Sequence, residues 1–173
     1  MGSIKLGYKI DPKWSIWMAS DYLSGDKIDK DKTTAFYTLY GANHKFYGTM
    51  DYFYASPYRT ASNPGLWDNQ TGIQYKTSGK MEMSLYWHYF SAINNEIIEY
   101  DDILVKIKKG LGSELDFQFG WTIMKDVRLT GGYSFIRGTQ SMDVIKGGDH
   151  KKWQDWFWFS ININPQLLFH QWR

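Results

Sequence analysis

The stretch Leu111-Gly112-Ser113-Glu114-Leu115-Asp116-Phe117-Gln118-Phe119-Gly120-Trp121-Thr122-Ile123 decides the fold class. Most of its odd positions carry large apolar side chains, and its even positions carry small, polar or acidic ones. Successive side chains of a β-strand point to opposite faces, so a period of two predicts a strand with one apolar and one polar face. A helix would place apolar residues three and four positions apart, which this stretch does not do.

Six further segments of the sequence alternate in the same way. They span residues 2–10, 14–23, 66–77, 80–92, 127–137 and 153–164. Together with 111–123 they predict seven antiparallel strands, because runs of this period separated by turn residues are typical of an all-β chain. A chain of 173 residues has room for one domain, so we expect 1–173 to form a single β-sheet segment.

The composition narrows the classes of protein that fit this pattern. The chain holds 9 Trp, 13 Tyr and 10 Phe but no Cys, which excludes a disulfide-stapled fold and a thiolate zinc site. A high aromatic content beside 22% charged residues also excludes intrinsic disorder. The net charge of +2 gives no reason to expect a nucleic-acid partner. So many amphipathic rings are typical of a wall with lipid on one side and water on the other.

The connections between the predicted strands are alternately short and long. Short turns lie at 11–13, 78–79 and 124–126, and long connections lie at 24–65, 93–110 and 138–152. A soluble antiparallel sandwich also has alternating strands. Short turns at one rim with long loops at the other are typical of outer-membrane barrels, however, and favour that class.

The ends of the apolar stripes indicate the same class. They carry tryptophan and tyrosine, for instance Trp14 and Tyr22 on the second strand and Trp67 and Tyr75 on the third. Such rings gather at membrane interfaces. We therefore expect an antiparallel up-and-down transmembrane β-barrel in the bacterial outer membrane, in contact with lipid and lipopolysaccharide. The last strand descends from a long loop, which predicts extracellular long loops and a periplasmic C-terminus.

The face opposite the apolar stripe is expected to line the barrel interior. Charged side chains gather on this face, since a lysine or arginine that faces lipid at the bilayer midplane costs about 2–4 kcal/mol. The predicted lumen-lining residues are Lys5, Lys9, Asp21, Asp68, Lys76, Lys80, Glu82, Glu114, Asp116 and Arg128. A charge-selective pore needs a ring of one sign. Five cations against five anions predict no charge preference.

Two further features of the interior allow two interpretations each. Four large inward rings form either a sugar-stacking track or a packing surface for a plug or loop: Trp17, Tyr86, Trp156 and Trp158. The connection 24–65 exceeds ordinary loop lengths and is rich in aromatic residues in its second half. It either folds inwards as a constriction or forms an ordered cap on the rim. The residues predicted for a constriction are His44, Lys45, Phe46, Tyr52 and Tyr54.

Seven strands do not close such a barrel. Single-chain bacterial barrels have an even strand number, and an open sheet edge in lipid leaves backbone groups unpaired. An eighth strand at 103–107 is one solution, although it breaks the up-and-down order. We prefer a partner segment, either an N-terminal barrel half or a separate chain. The opening residues Met1-Gly2-Ser3 precede no apolar run typical of a secretion signal, which fits a cleaved signal or a piece of a longer chain.

Several stretches of the sequence resemble a known family. They are 21–26 (DYLSGD), 39–48 (LYGANHKFYG), 50–54 (MDYFY), 111–116 (LGSELD), 131–134 (GGYS) and the run from Ser141-Met142 to Lys146-Gly147-Gly148-Asp149. They are similar to the porin-like outer-membrane proteins of Bacteroidota, which are placed with the alginate-export type of β-barrel. In that family such motifs lie in the C-terminal half of a protein more than twice this length. The resemblance implies that the first barrel half is absent from this chain, and it does not imply alginate as the substrate.

No catalytic or metal-binding pattern accompanies these features. His44, His88, His150 and His170 are scattered, and neither H-E-x-x-H nor G-x-S-x-G occurs. We therefore expect no enzyme, no cofactor and no metal. The expected function is a porin for passive diffusion of small hydrophilic solutes, with oligosaccharides or acidic sugars as cargo. The alternative is a structural barrel subunit of an outer-membrane assembly without an open channel.

Overall fold

The structure, a computed structural model, describes residues 1–27, 33–37, 47–53, 58–77, 79–98 and 103–165. Seven long strands dominate it: β1 (Gly2–Lys9), β2 (Trp14–Leu23), β3 (Leu66–Lys76), β4 (Met81–Ser91), β7 (Gly110–Met124), β8 (Val127–Gly138) and β9 (Gln154–Ile163). Two short strands, β5 (Glu96–Ile98) and β6 (Leu104–Lys106), and one helix, α1 (Gln140–Lys146), complete it. The bounds predicted for the seven long strands agree with these to within one residue.

The seven long strands form one antiparallel sheet in the order β1-β2-β3-β4-β7-β8-β9. The hairpin turns set the register; the turn before Met81, for example, aligns Lys76 with Glu82 and so places Gln70 opposite His88. The predicted antiparallel sheet of seven strands is thereby confirmed. The sheet is not closed, because β1 and β9 are its outer strands and do not pair with each other in the described part of the chain.

One face of the sheet, called the outer face here, is apolar and exposed across its whole width. Leu6 on β1 is 69% exposed and Phe157 on β9 is 66% exposed. Within the described residues no second layer covers this face. Apolar surface left in water costs about 25 cal/mol per Å², so the exposure of this face is unfavourable in water.

The buried hydrophobic core lies at the long-loop end of the sheet. It joins strand ends to loop side chains; Phe53 of the long connection packs on Phe90 of β4, with ring centroids 4.4 Å apart. The buried members are Leu23, Tyr47, Phe53, Leu66, Phe90, Ala92, Ile97, Ile107, Leu111, Ile136, Met142 and Ile145. This core attaches the long connections to the sheet.

Two of the long connections contain secondary structure of their own. The candidate eighth strand at 103–107 contains β6, but β6 pairs with β5 in a separate hairpin and does not join the seven-stranded sheet. The connection 138–152 contains α1, which begins after Thr139 and ends before Gly147, where φ is +79°. This helix was not predicted. Among the residues that the structure describes, no helix is long and apolar enough to cross a membrane.

Candidate functional site

A chain of hydrogen bonds runs across the polar face of the sheet, called the inner face here. Ser3 Oγ donates to Asp21 Oδ1 over 2.5 Å. Gln70 Nε2 donates to Asp21 Oδ2 (2.8 Å) and to Asp68 Oδ2 (2.9 Å). His88 Nδ1 lies 3.0 Å from Asp68 Oδ2. The antiparallel register produces this chain, because Asp21 lies opposite Asp68 and Gln70 lies opposite His88.

The network extends to β7 through the histidine. His88 Nε2 lies 3.5 Å from Asp116 Oδ2. Asp68 and Asp116 are both 0% exposed. Neither carboxylate oxygen of Asp116 has a hydrogen-bond partner among the described residues. Buried carboxylates normally accept hydrogen bonds, so both oxygens of Asp116, and Oε2 of Glu114 two residues before it, have unused acceptor capacity.

Glu114, two residues before Asp116 on β7, holds the long connection against the inner face. The backbone N–H of Met50 donates to Glu114 Oε1 over 2.9 Å. Gly48 lies directly over the same carboxylate, since a Cβ at Gly48 would stand 2.6 Å from Glu114 Oε2. Its φ of +88° is also in the left-handed region. Glycine is therefore required here for two reasons, close approach and backbone conformation.

Tyr52 connects the same loop segment, residues 47–53, to the opposite edge of the sheet. Its hydroxyl donates to Gln154 Oε1 of β9 over 2.6 Å. Partial burial raises the pKa of Tyr52, and the Glu114 carboxylate raises it further, so the hydroxyl keeps its proton as a donor. The other predicted constriction residues, His44, Lys45, Phe46 and Tyr54, lie outside the described residues. The constriction itself stays a prediction.

A cavity of about 410 Å³ opens between this loop segment and strands β1 to β4 and β7. Trp17 and Tyr86 form part of its wall, with ring centroids 5.4 Å apart. Lys5 Nζ lies 4.0 Å from the centroid of the Trp17 ring. Gly72 makes room for that ring, because a Cβ there would stand 2.5 Å from Trp17 Cε2. Asp116 lines the same cavity from the acidic network.

The short-turn end of the inner face is basic. Lys76 Nζ lies 3.7 Å from Glu82 Oε2, and Arg128 Nη2 forms an ion pair with Glu82 Oε1. Lys13 and Lys80 line a cavity of about 480 Å³ beside these residues. The ion pairs are partly exposed, so each contributes at most about 1 kcal/mol to stability. The main consequence of this arrangement is that the short-turn end of the inner face carries a net positive charge.

The structure divides the predicted lumen-lining residues into groups. The acidic network contains Asp21, Asp68, Glu114 and Asp116. The basic end contains Lys76, Lys80, Glu82 and Arg128. Lys5 lies over Trp17, and Lys9 lines a separate groove beside the turn after β1. Although cations and anions are equal in number, they are separated along the strands, with the acidic network away from the short turns and the basic residues beside them. The residue count did not predict this separation.

The four inward aromatic residues form two pairs. Trp17 and Tyr86 lie on β2 and β4, whereas Trp156 and Trp158 lie on β9 with ring centroids 6.3 Å apart. Strands β7 and β8 lie between the pairs. The sugar-stacking track stays a prediction, and the structure assigns each pair to a separate part of the inner face.

His88 and Gln70 are site residues that the sequence pattern did not predict. Both connect carboxylates that were predicted to line the lumen. A signal was present: the short turn predicted at 78–79 implies that β3 pairs with β4, and this pairing places Gln70 and His88 opposite each other. The contact of Glu114 with the loop had no such signal, because it joins residues 64 positions apart.

A second polar group lies around α1. Lys146 Nζ lies 3.6 Å from the centroid of the Tyr58 ring. Burial lowers the pKa of Lys146 from 10.5 to about 7, and burial raises the pKa of Tyr58. Asp143, Asp149 and His150 bring potential metal-ligand atoms within 4.8 Å of one another. A hydrogen bond of 2.5 Å between His150 Nδ1 and Asp143 Oδ2 accounts for the closest of these contacts.

The fold and site define an open antiparallel sheet with an exposed apolar outer face and a polar inner face that a loop partly covers. No protein-family model and no curated protein sequence matches this chain.

Proposed function

We propose that this chain forms part of the wall of an outer-membrane β-barrel through which small hydrophilic solutes diffuse. The observation that supports the proposal most strongly is that the apolar face of the sheet is exposed and its polar face is partly buried. Phe117 is 39% exposed on the outer face, whereas its neighbour Asp116 is 0% exposed on the inner face. A water-soluble sheet buries its apolar face instead. Lipid outside and water inside would give each face the environment that its side chains need.

The proposal includes further strands that complete the wall. In lipid, each unpaired backbone group costs several kcal/mol, and β1 and β9 each present a free edge in the described part of the chain. Strands from an N-terminal barrel half or from a partner chain would pair with these edges. The resemblance to the Bacteroidota porin-like proteins supports the same arrangement, with extracellular long loops and a periplasmic C-terminus.

A structural barrel subunit without an open channel is the second candidate, and one observation favours it. The loop segment 47–53 lies on the inner face, where it is held by Glu114 and Gln154. A loop in that position narrows the space in front of the sheet. Whether water and solute pass is the property that separates the two candidates.

Single-cysteine labelling tests the membrane wall without background, because the chain has no native cysteine. The matched pair is Ile73→Cys and Gln74→Cys, adjacent positions of β3 whose side chains point to opposite faces. We expect a lipid-dissolved maleimide to label Ile73→Cys and a charged, water-soluble maleimide to label Gln74→Cys in membranes. Equal labelling of Ile73→Cys by the charged reagent would refute the wall.

Conductance in planar bilayers then separates porin from scaffold. The protein is extracted in mild detergent with whatever chains accompany it. Stepwise channels that the charged reagent reduces in Gln74→Cys, and does not reduce in Ile73→Cys, are the result expected for a porin. A labelled wall with no conductance supports the structural subunit instead.

A further inference from the structure

The cavity under loop segment 47–53 combines three features that select a ligand. Its acidic wall includes Asp21 and Asp116. Asp68 contacts His88, which lines the same wall, and Glu114 lies close to Asp116. The volume of about 410 Å³ lies within the range of small-molecule sites, roughly 300–1,000 Å³.

The charge around this cavity favours a cation. Asp21, Asp68 and Asp116 are the groups that supply negative charge beside this cavity, whereas Lys5 and His88 are the groups that can carry positive charge towards it from the described strands. Asp116 is the informative member, because it is fully buried, its contact with His88 Nε2 is long at 3.5 Å, and neither of its oxygens accepts a hydrogen bond of normal geometry among the residues described. A ligand N–H group placed there would supply the missing donor.

The aromatic wall favours an organic cation over a metal ion. Lys5 Nζ already lies over the Trp17 ring at 4.0 Å, with the Tyr86 ring beside it. Ammonium groups are attracted to the faces of such rings. The chain therefore shows, with its own lysine, that an alkylammonium group fits against this wall.

We propose that this cavity is a binding site for small solutes that carry an ammonium group, such as amino sugars. The inference rests on the proposed function in one respect only: the solute reaches the cavity through the barrel interior. It also reverses the expectation of acidic sugars at this point of the inner face, because the acidic network repels a carboxylate. The basic short-turn end lies at the opposite end of the strands and does not offset that repulsion at the cavity.

Three probes of one ring size test the proposal: glucosamine, glucose and glucuronate. Binding to the detergent-extracted protein is measured by calorimetry at constant ionic strength and at about pH 6, where an amine of this kind is protonated. We expect glucosamine to bind about tenfold more tightly than glucose, which corresponds to one favourable charged contact of about 1.4 kcal/mol. Glucuronate should bind more weakly than glucose.

Asp116→Asn and Glu82→Gln are the matched variants. Both remove one carboxylate with little change of shape, the first at the cavity and the second at the short-turn end. Asp116→Asn should abolish the preference for glucosamine over glucose, and Glu82→Gln should retain it. Asp116→Asn relieves the repulsion between Asp116 and Glu114 but also removes the ionic contact with His88, so binding is compared only after circular dichroism shows that both variants are folded.

Several results would overturn the proposal. Equal affinities for the three sugars, tighter binding of glucuronate, or an unchanged preference in Asp116→Asn each contradict it. Binding of calcium ion alone at Asp116 without any preference for glucosamine would identify an inorganic cation site instead. Binding and conductance are independent readouts: a protein that prefers glucosamine but forms no channel refutes only the porin, and a channel without the preference refutes only this site.

Discussion

Replacing Gly48 with alanine tests whether Glu114 holds the loop segment on the inner face. The left-handed φ of +88° costs an alanine about 1 kcal/mol. The new Cβ, 2.6 Å from Glu114 Oε2, also forces the carboxylate away from the Met50 N–H. A hydrogen bond to an uncharged group contributes about 0.5–1.5 kcal/mol, the value that suits a carboxyl buried beside Asp116. The two effects together predict a loss of about 1.5–2.5 kcal/mol in the free energy of opening of this segment.

Amide hydrogen exchange at Met50 measures that opening directly. We expect exchange to accelerate roughly 10- to 10²-fold in Gly48→Ala, the factor that corresponds to the predicted loss. Gly79→Ala is the matched control. Gly79 has a similar φ of +78°, but a Cβ at that position would meet no atom within 4 Å, so only the backbone cost applies there. If Met50 exchanges at the same rate in Gly48→Ala as in Gly79→Ala, the anchoring of the loop by Glu114 is wrong.

Two further predictions concern buried groups. His88→Ala should lower the free energy of unfolding in detergent by about 3–5 kcal/mol, because it leaves Asp68 and Asp116 buried without their shared partner. The control is Ser84→Ala on the same face of β4, which should change the free energy of unfolding by less than about 1 kcal/mol. Equal effects of the two substitutions would contradict the role of the histidine. Between about pH 7 and pH 10.5 the unfolded chain holds a proton on Lys146 that the folded chain has released, so the free energy of unfolding should rise with pH across that window. In Lys146→Met the free energy of unfolding, measured by denaturant titration at pH values across that window, should rise less with pH than in the wild-type chain. If the two pH dependences are parallel, the lowered pKa of Lys146 is refuted.

The strands were predictable because a single local pattern specifies them. The alternation at 111–123 depends only on neighbouring residues, and β7 extends one residue beyond it at each end. The strand character of 103–107 was also recognisable, but its partner was not, since hydropathy does not say which strand pairs with which. Helix α1 was missed because seven residues make about two turns, too few for a period of 3.6 to stand out from a loop.

The site was predictable in its parts and not in its arrangement. Face assignment follows from alternation, so the ten charged residues could be assigned to one face of the sheet; that this face lines a lumen stays a prediction. To predict how these charges separate along the strands, one must know how far each charge lies from the turns. The predicted strand bounds give these distances, whereas a count of charges does not. The loop contact at Glu114 depends on where a long connection returns to the sheet, and no local pattern encodes such a return.

The chain has two kinds of apolar surface that tolerate change differently. Leu66, 1% exposed, is enclosed by the core at the long-loop end, where interiors are packed as densely as crystals and a change of shape displaces neighbours. Leu85, 40% exposed on the outer face, has neighbours on one side only. Replacement of leucine by the larger phenylalanine should therefore cost about 1–3 kcal/mol in the core and little on the outer face. The core needs a particular shape at each position, whereas the outer face, which we propose contacts lipid, needs only apolar character.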